Sequence, residues 1–234
     1  MSVSLDHRHL PYQIHPEKNR FEFYENYWKR VGCDLLKRHL PPNGQTVLDY
    51  GSGRGESLDI FGREGYKVTG TDADPECVKL SQRYGEATLL NIADPLAQFG
   101  PQSFDVVACF HVLEHVDNPK QVLKTLRDIC RQYVVLAVPN LRALIGLFKR
   151  QIDIRNFNEG HLQSWDHWHL LNRAERHCGL RLVEWGFDAT ILPVFNRFIP
   201  PLLGQRAAVW LETKVFLRMF PYHCNSVLGL FRPV

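Results

Sequence analysis

The chain has 234 residues, enough for one α/β domain with a substantial core and a single appendage, and too few for two full domains. Hydrophobic residues at 44% and charged residues at 23% exclude a disordered or fibrous chain, and a formal charge of only +3 is too small for the dense basic footprint expected of a nucleic-acid binder, which makes nucleic acid a weak partner hypothesis. No run approaches the roughly 20 consecutive apolar residues of a spanning helix, and residues 1–16 hold no apolar stretch of signal-peptide length. The six cysteines, at 33, 77, 109, 130, 178 and 224, form no C-x-x-C pair and several lie inside apolar runs. They read as reduced thiols, so the expected location is the cytoplasm.

From 20 to 40, Phe21, Tyr24, Trp28, Val31, Leu35 and Leu36 recur at three- and four-residue spacing until Pro41-Pro42-Asn43-Gly44 stops the pattern, which predicts an amphipathic helix. Residues 1–45 therefore read as an N-terminal helical segment packed on a domain spanning 46–234. Residues 46–50 predict a short buried strand, followed by three glycines and a helix over 56–63. The unit recurs: β-branched residues over 67–71 end in Asp72, and helical periodicity resumes over 75–84 with Pro75 in the first turn. Strands follow over 87–90, 104–110 and 133–138, with a helix over 119–130 between the last two. A helix over 165–177 and strands over 180–187 and 225–231 complete the pattern, whereas 141–164 is loose and 195–222 looks inserted. Such alternation predicts a doubly wound α/β fold with a mostly parallel, seven-stranded sheet and helices on both faces, and ligands bound beyond the carboxyl ends of the strands.

The loop Asp49-Tyr50-Gly51-Ser52-Gly53-Arg54-Gly55 is a predicted cofactor loop, because closely spaced glycines between strand and helix let backbone approach a ligand. A dinucleotide fingerprint, G-x-G-x-x-G, requires glycine where Glu56 stands. A carboxylate in the first helical turn also repels a pyrophosphate there and tolerates a cofactor without phosphates. Asp72, at the end of the second strand, is placed to accept from both hydroxyls of a ribose; its competing role is to cap the next helix, and Asp74 fits that role better.

Together VLDYGSGRG, VTGTDADP and FDVVACFHVLEHVDNP resemble the main, Rossmann-like family of S-adenosylmethionine-dependent methyltransferases. The resemblance covers about 46–140, with weaker echoes to Phe187. It implies S-adenosyl-L-methionine as cofactor, with Asp49, Gly51, Ser52 and Gly53 along its methionine part and Asp72 and Ala73 at the ribose. The family often carries an acidic residue after the third strand, near the adenine amino group. This chain offers Asn91-Ile92 there, with Asp94 three positions on; Asn91 ranks first as a hydrogen-bonding partner, and Ile92 would lie against the ring. Phe110 and His111 are implied cofactor neighbours, whereas Glu114 and His115 of the "LEHV" segment are expected to shape the following turn.

Methyl transfer from a sulfonium needs in-line approach and exclusion of water, and a hydroxyl acceptor would also need a proton acceptor, for which histidine is suited. His111, beside the cofactor edge, and His161, in the loop region after the fifth strand, are the candidate bases. Similar methyltransferases often place a histidine shortly before a helix at the second point, which favours His161, with a structural hydrogen bond as its alternative role. His161, His167 and His169 lack the spacing and acidic third ligand of zinc enzymes, and no metal is expected. Residues 141–150 and 202–220 combine apolar stripes with basic residues, as would a lid or a membrane-resting surface on the acceptor side, although such stripes more often pack as core. The expected function is methylation, at oxygen, of a small-molecule or lipid- or glycan-linked acceptor. The alternatives are a non-catalytic cofactor-binding accessory protein and, last, a nucleic-acid methyltransferase, which would carry an N-P-P-Y-like motif where His111-Val112-Leu113-Glu114 stands.

Overall fold

Strand β1 (Thr46–Tyr50) is buried from Val47 onward, and β4 (Phe104–Phe110) from Val106 onward, because both run through the middle of a sheet covered on both faces. The computed structural model describes residues 26–147, 158, 160–192 and 202–234. Its seven strands add β2 (Lys67–Asp72), β3 (Glu86–Leu89), β5 (Cys130–Pro139), β6 (Leu180–Gly186) and β7 (Ser226–Pro233), in the order β3-β2-β1-β4-β5-β7-β6. β7 alone runs against its neighbours, pairing antiparallel with β5 (Leu136 opposite Gly229) and with β6; the other pairings are parallel. The predicted doubly wound, mostly parallel sheet is thus the observed one.

Alternate residues of each central strand face opposite sides, and the core divides accordingly. On one face Leu48, Val107, Cys109, Val134 and Leu136 meet Leu123, Leu126 and Ile129 of α5 (Pro119–Ile129). On the other, Val47, Val106, Ala108 and Val135 meet Cys33, Leu35 and Leu36 of α1 (Tyr27–His39) and Phe61 of α2 (Glu56–Arg63). Burying each such leucine contributes roughly 1.5–3 kcal/mol, so α1 is part of the core.

Three elements differ from the sequence reading. The helix predicted over 75–84 closes earlier, as α3 (Pro75–Ser81), with the Asp74 carboxylate accepting from the Glu76 N–H at 2.9 Å as its N-cap. A short helix, α4 (Pro95–Phe99), escaped the periodicity because five residues complete barely one turn; Asp94 caps it. β5 begins at Cys130, directly after α5, without the expected polar break. Arg131 and Gln132 read as loop, yet both side chains reach the Asp105 carboxylate at the start of β4. The helix after Asp166 starts as α6 (His167–Asn172) and widens into a π-helical turn, Arg173–His177. Between β6 and β7 lies α7 (Gln205–Trp210), continued by a π turn and α8 (Phe216–Met219). Of the predicted helix over 141–150, residues 144–147 are helical and the rest lies outside the described residues, as do Phe21 and Tyr24.

The chain leaves β1 towards β2 on one side and returns to β4 on the other. This reversal opens a crevice above the carboxyl ends of β1 and β4.

Candidate active site

After Tyr50 the chain enters the glycine loop with φ of 82° at Gly51 and 54° at Gly53, the left-handed region that L side chains rarely adopt. The loop is pinned to β2: the Gly51 and Ser52 N–H groups donate to the Thr71 carbonyl at 2.8 and 2.9 Å. A Cβ on Gly51 would stand 2.2 Å from Val112 Cγ2, so this glycine is required by close packing, whereas a Cβ on Gly53 would meet nothing within 4 Å. The Asp72 carboxylate ties the assembly together, accepting the Gly53 N–H at 2.9 Å and the Asp74 N–H at 3.0 Å.

These elements bound a cleft of about 760 Å³. Gly51, Gly53, Asp72, Ala73, Phe110 and His111 all line it, and Ile92 stands at its rim, 70% exposed. Three residues expected at the cofactor lie off the wall. Ser52 is buried with its hydroxyl 3.1 Å from that of Ser81, bracing the loop from behind. Asn91 is exposed and spends its N–H on the Gln98 side chain at 2.7 Å; Asp94, ranked below it, lines the cleft while capping α4 through the Ala97 N–H. Asp49 is buried at the end of β1, and neither carboxylate oxygen has a hydrogen-bond partner. Burial lifts its pKa to about 7, against the pull of Lys29 and of the nearby Ser57 hydroxyl. Lys29 is itself paired at 2.9 Å with Glu56, in the first turn of α2.

The far wall carries a group of histidines. His111, at the end of β4, has a φ of 56° and stacks on Trp28 with ring centres 4.6 Å apart. Its Nε2 is 3.3 Å from the Ser226 hydroxyl, and its Nδ1 is 3.7 Å from Glu114 Oε1. Burial drives its pKa down to about 3, helped by Lys29, His161 and His115, so the ring is neutral. Glu114 is buried, both its oxygens lack hydrogen bonds, and burial lifts its pKa to about 7. The turn-shaping expected of this segment is done by backbone atoms: the Glu114 carbonyl accepts the Leu162 and Gln163 N–H groups, and the His115 N–H closes on the Val112 carbonyl. The His115 ring joins in, with Nδ1 2.8 Å from the Gly160 carbonyl oxygen, whereas the Glu114 carboxyl finds no hydrogen-bond partner, which was not visible in the sequence.

His115 lines the cleft; His161 does not, but its ring meets that of His115 edge-on at 4.9 Å. Ligating atoms of Glu114, His115 and His161 fall within 4.8 Å of one another. That is looser than the roughly 3.3 Å donor spacing that bonds of about 2.0–2.1 Å to a tetrahedral ion impose. His167 and His169 stand elsewhere: His169 bonds Asp166, and His167 is buried against the rings of Trp185, Phe187 and Tyr222. His167 also lines a second cavity of about 560 Å³, together with Arg142, Trp168 and Phe220.

Among solved structures, magnesium protoporphyrin IX methyltransferase from Synechocystis, with bound SAH, superposes with a TM-score of 0.61 at 15% identity over 95% of this chain and 89% of that one. A SAM-dependent methyltransferase from Archaeoglobus fulgidus gives 0.56 at 18% identity over 92% and 99%. At such identities these likenesses show the fold. By sequence, the ubiquinone biosynthesis O-methyltransferase of Xylella fastidiosa is 29% identical over 125 residues, half of each chain. This chain thus spans about half the length of the curated relatives it matches. The family described as a methyltransferase domain matches residues 20–184, most of the chain, and with the glycine loop, the Asp72 tie and the strand order in place, the protein belongs to that family.

Proposed function

We propose that the protein transfers the methyl group of S-adenosylmethionine to a hydroxyl oxygen of a small, apolar or lipid-linked acceptor. The observation that carries this reading is the charge of the cleft. Asp72 and Asp94 line it, Asp49 lies buried and unpartnered, and Lys29 is neutralised by Glu56. Such a site suits a ligand bearing a sulfonium and an ammonium and no phosphate.

The residues present fit that cofactor. Asp49 would gain a cationic partner for its orphaned carboxylate. Gly53 leaves open space where a side chain would intrude. Each Asp72 oxygen already takes one N–H and keeps a lone pair for a ribose hydroxyl. Ala73, Ile92 and Phe110 would contribute apolar wall. Asn91 would reach the adenine only by turning its exposed side chain inward. When bound, S-adenosylmethionine supplies an electrophilic methyl group. The protein's part is to hold the acceptor in line, exclude water and take a proton, and His111, His115 and His161, gathered around Glu114, are the groups able to take it.

Oxygen as the attacked atom is supported by the relatives named as O-methyltransferases. An apolar acceptor is supported by Leu202, Leu203, Trp210 and Met219, which are 58–79% exposed along the segment between β6 and β7. No helix among the described residues is long and apolar enough to cross a membrane, and a cytoplasmic enzyme in peripheral contact with one fits this acceptor class.

Calorimetric titration tests the cofactor. S-adenosylmethionine and S-adenosylhomocysteine should bind at micromolar concentration, and Asp72→Ala should weaken both by roughly 10- to 100-fold, as loss of charge-assisted hydrogen bonds of about 1.5–3 kcal/mol requires. No binding, or a preference for NADH, would overturn the reading.

A further inference from the structure

We propose that the protein binds a phosphate dianion, free or as a monoester, in a second pocket built around Lys120, Trp165, Arg173 and His177. The inference does not rest on the methyl-transfer reading. Three stretches of chain converge on a cavity of about 380 Å³: the first turn of α5, residues 163–165, and α6 with its π-helical turn. None of its lining residues lines the cofactor cleft. The third stretch contributes His169, Asn172, Arg173 and His177, whose spacing of three, four and eight residues from the first puts them on one helix face. Arg173 and His177 bound the π turn, a departure from α geometry that concentrates at functional sites.

Among the described residues no carboxylate lines this cavity, and neither Lys120 nor Arg173 has an ion-pair partner, so two cations stand over it unbalanced. The acids of α6, its cap and its π turn are committed elsewhere. The Asp166 carboxylate takes the His169 N–H at 2.9 Å and meets the same ring at 2.8 Å, and Glu175 takes the Leu182 N–H at 3.0 Å. The field reaches the Cys178 thiol: burial raises it, and Arg173, Lys124, Lys120 and Arg127 all pull against that rise. Trp165, the buried member of the lining at 3% exposure, carries an indole N–H with no acceptor. An indole nitrogen only donates, and a buried donor left unpaired is costly. An oxyanion in the cavity gives it an acceptor and gives Lys120 and Arg173 charge-assisted hydrogen bonds. Donors approaching from three stretches of chain suit a tetrahedral anion, whereas a planar carboxylate is met along one edge. A phosphate monoester carries about −1.5 to −2 charges at pH 7 and so balances two cations.

Calorimetric titration of the full-length protein with inorganic phosphate and with glycerol 3-phosphate, in chloride matched for ionic strength, should show saturable binding at sub-millimolar concentration. Arg173→Gln and Lys120→Gln should each weaken it by roughly 10- to 100-fold, and Arg173→Lys should recover part of the loss. The absence of saturable binding at millimolar concentration, or binding indifferent to both substitutions, would overturn the proposal.

The indole gives a site-specific reading. In protein carrying ¹⁵N-labelled tryptophan, with Trp165→Phe for assignment, phosphate should move the Trp165 indole resonance in the wild type and leave it in place in Arg173→Gln. A shift confined to Trp28, which lines the cofactor cleft, or displacement of phosphate by S-adenosylhomocysteine, would put the anion in that cleft and refute the second pocket. Co-sedimentation with phosphatidylcholine vesicles containing phosphatidic acid separates the sources of the phosphate. Pelleting that is lost in Arg173→Gln assigns the pocket to a lipid headgroup, and no pelleting beside saturable glycerol 3-phosphate binding assigns it to a soluble ester.

Discussion

Glu114 offers a quantitative check on the electrostatics of the cleft. In the fold its carboxyl holds a proton up to about pH 7, because burial penalises the charged form; in the unfolded chain it releases that proton near the ordinary 4.5. Between those values the folded state binds more protons than the unfolded state, so unfolding free energy must fall as pH rises. A displacement of that size corresponds to roughly 3 kcal/mol, absent below pH 4.5 and fully imposed above pH 7. Glu114→Gln removes the titration and keeps the shape. Its buried amide adds a cost of about 1–3 kcal/mol that does not vary with pH, so the slope of the difference is diagnostic and the offset is not. Asp49 and Asp188, lifted by burial to about 7 and about 6, add the same slope to both proteins and cancel. Urea denaturation at pH 5, 6, 7 and 8 should therefore show the ligand-free wild type losing about 2–3 kcal/mol relative to the variant, since part of the loss already falls below pH 5. A difference that stayed flat, or moved in favour of the wild type, would refute the assignment of a dry, unpartnered carboxyl.

Two further substitutions probe the supports of the site. Gly51→Ala combines a φ of 82° with a contact of 2.2 Å to Val112 and should cost about 2–4 kcal/mol, read as a lowered Tm; a neutral result would mean that the loop sits differently. Asp105 joins the starts of β1 and β4, taking the Thr46 N–H at 2.9 Å and the Arg131 guanidinium at 3.0 Å. Burial raises its pKa, but these donors outweigh it and hold the carboxyl below the ordinary 3.8. Its contribution is present above that value and lost as pH falls through the lowered one, so Asp105→Asn should destabilise by about 1–3 kcal/mol at pH 7 and by little near pH 2, measured by denaturant titration.

The sheet was legible because its central strands are short, β-branched and bounded by glycine, proline or aspartate, and burial on both faces makes such runs continuous in the sequence. α4 was hidden by its length, and the start of β5 by Arg131 and Gln132, whose polarity serves an ion-pair network on a strand. The glycine loop, Asp72 and His111 were legible because each follows a strand at the sheet's switch point. Asn91, Ser52 and Asp49 could not be separated from the true wall residues, since residue type does not reveal which way a loop side chain turns. His115 was hidden for a different reason. Its backbone fulfils the turn expected of its motif, and only the three-dimensional approach of Gly160, 45 positions later, shows that its ring also ties the turn to a distant loop.

Helix α1 has a consequence for anyone who wishes to recombine this protein with its relatives. The Pro41-Pro42 turn after it resembles a natural seam, and a chimera cut there would keep the whole sheet. Yet Trp28 stacks on His111, Lys29 balances Glu56, and Cys33, Leu35 and Leu36 seal one side of β5 and β7. Grafting the sheet alone would deliver a scaffold with a bared flank and a cleft wall without Trp28 and Lys29. The transferable module begins before the first helix, and donor and recipient helices are interchangeable only where the aromatic at 28 and the residue at 111 travel as a pair.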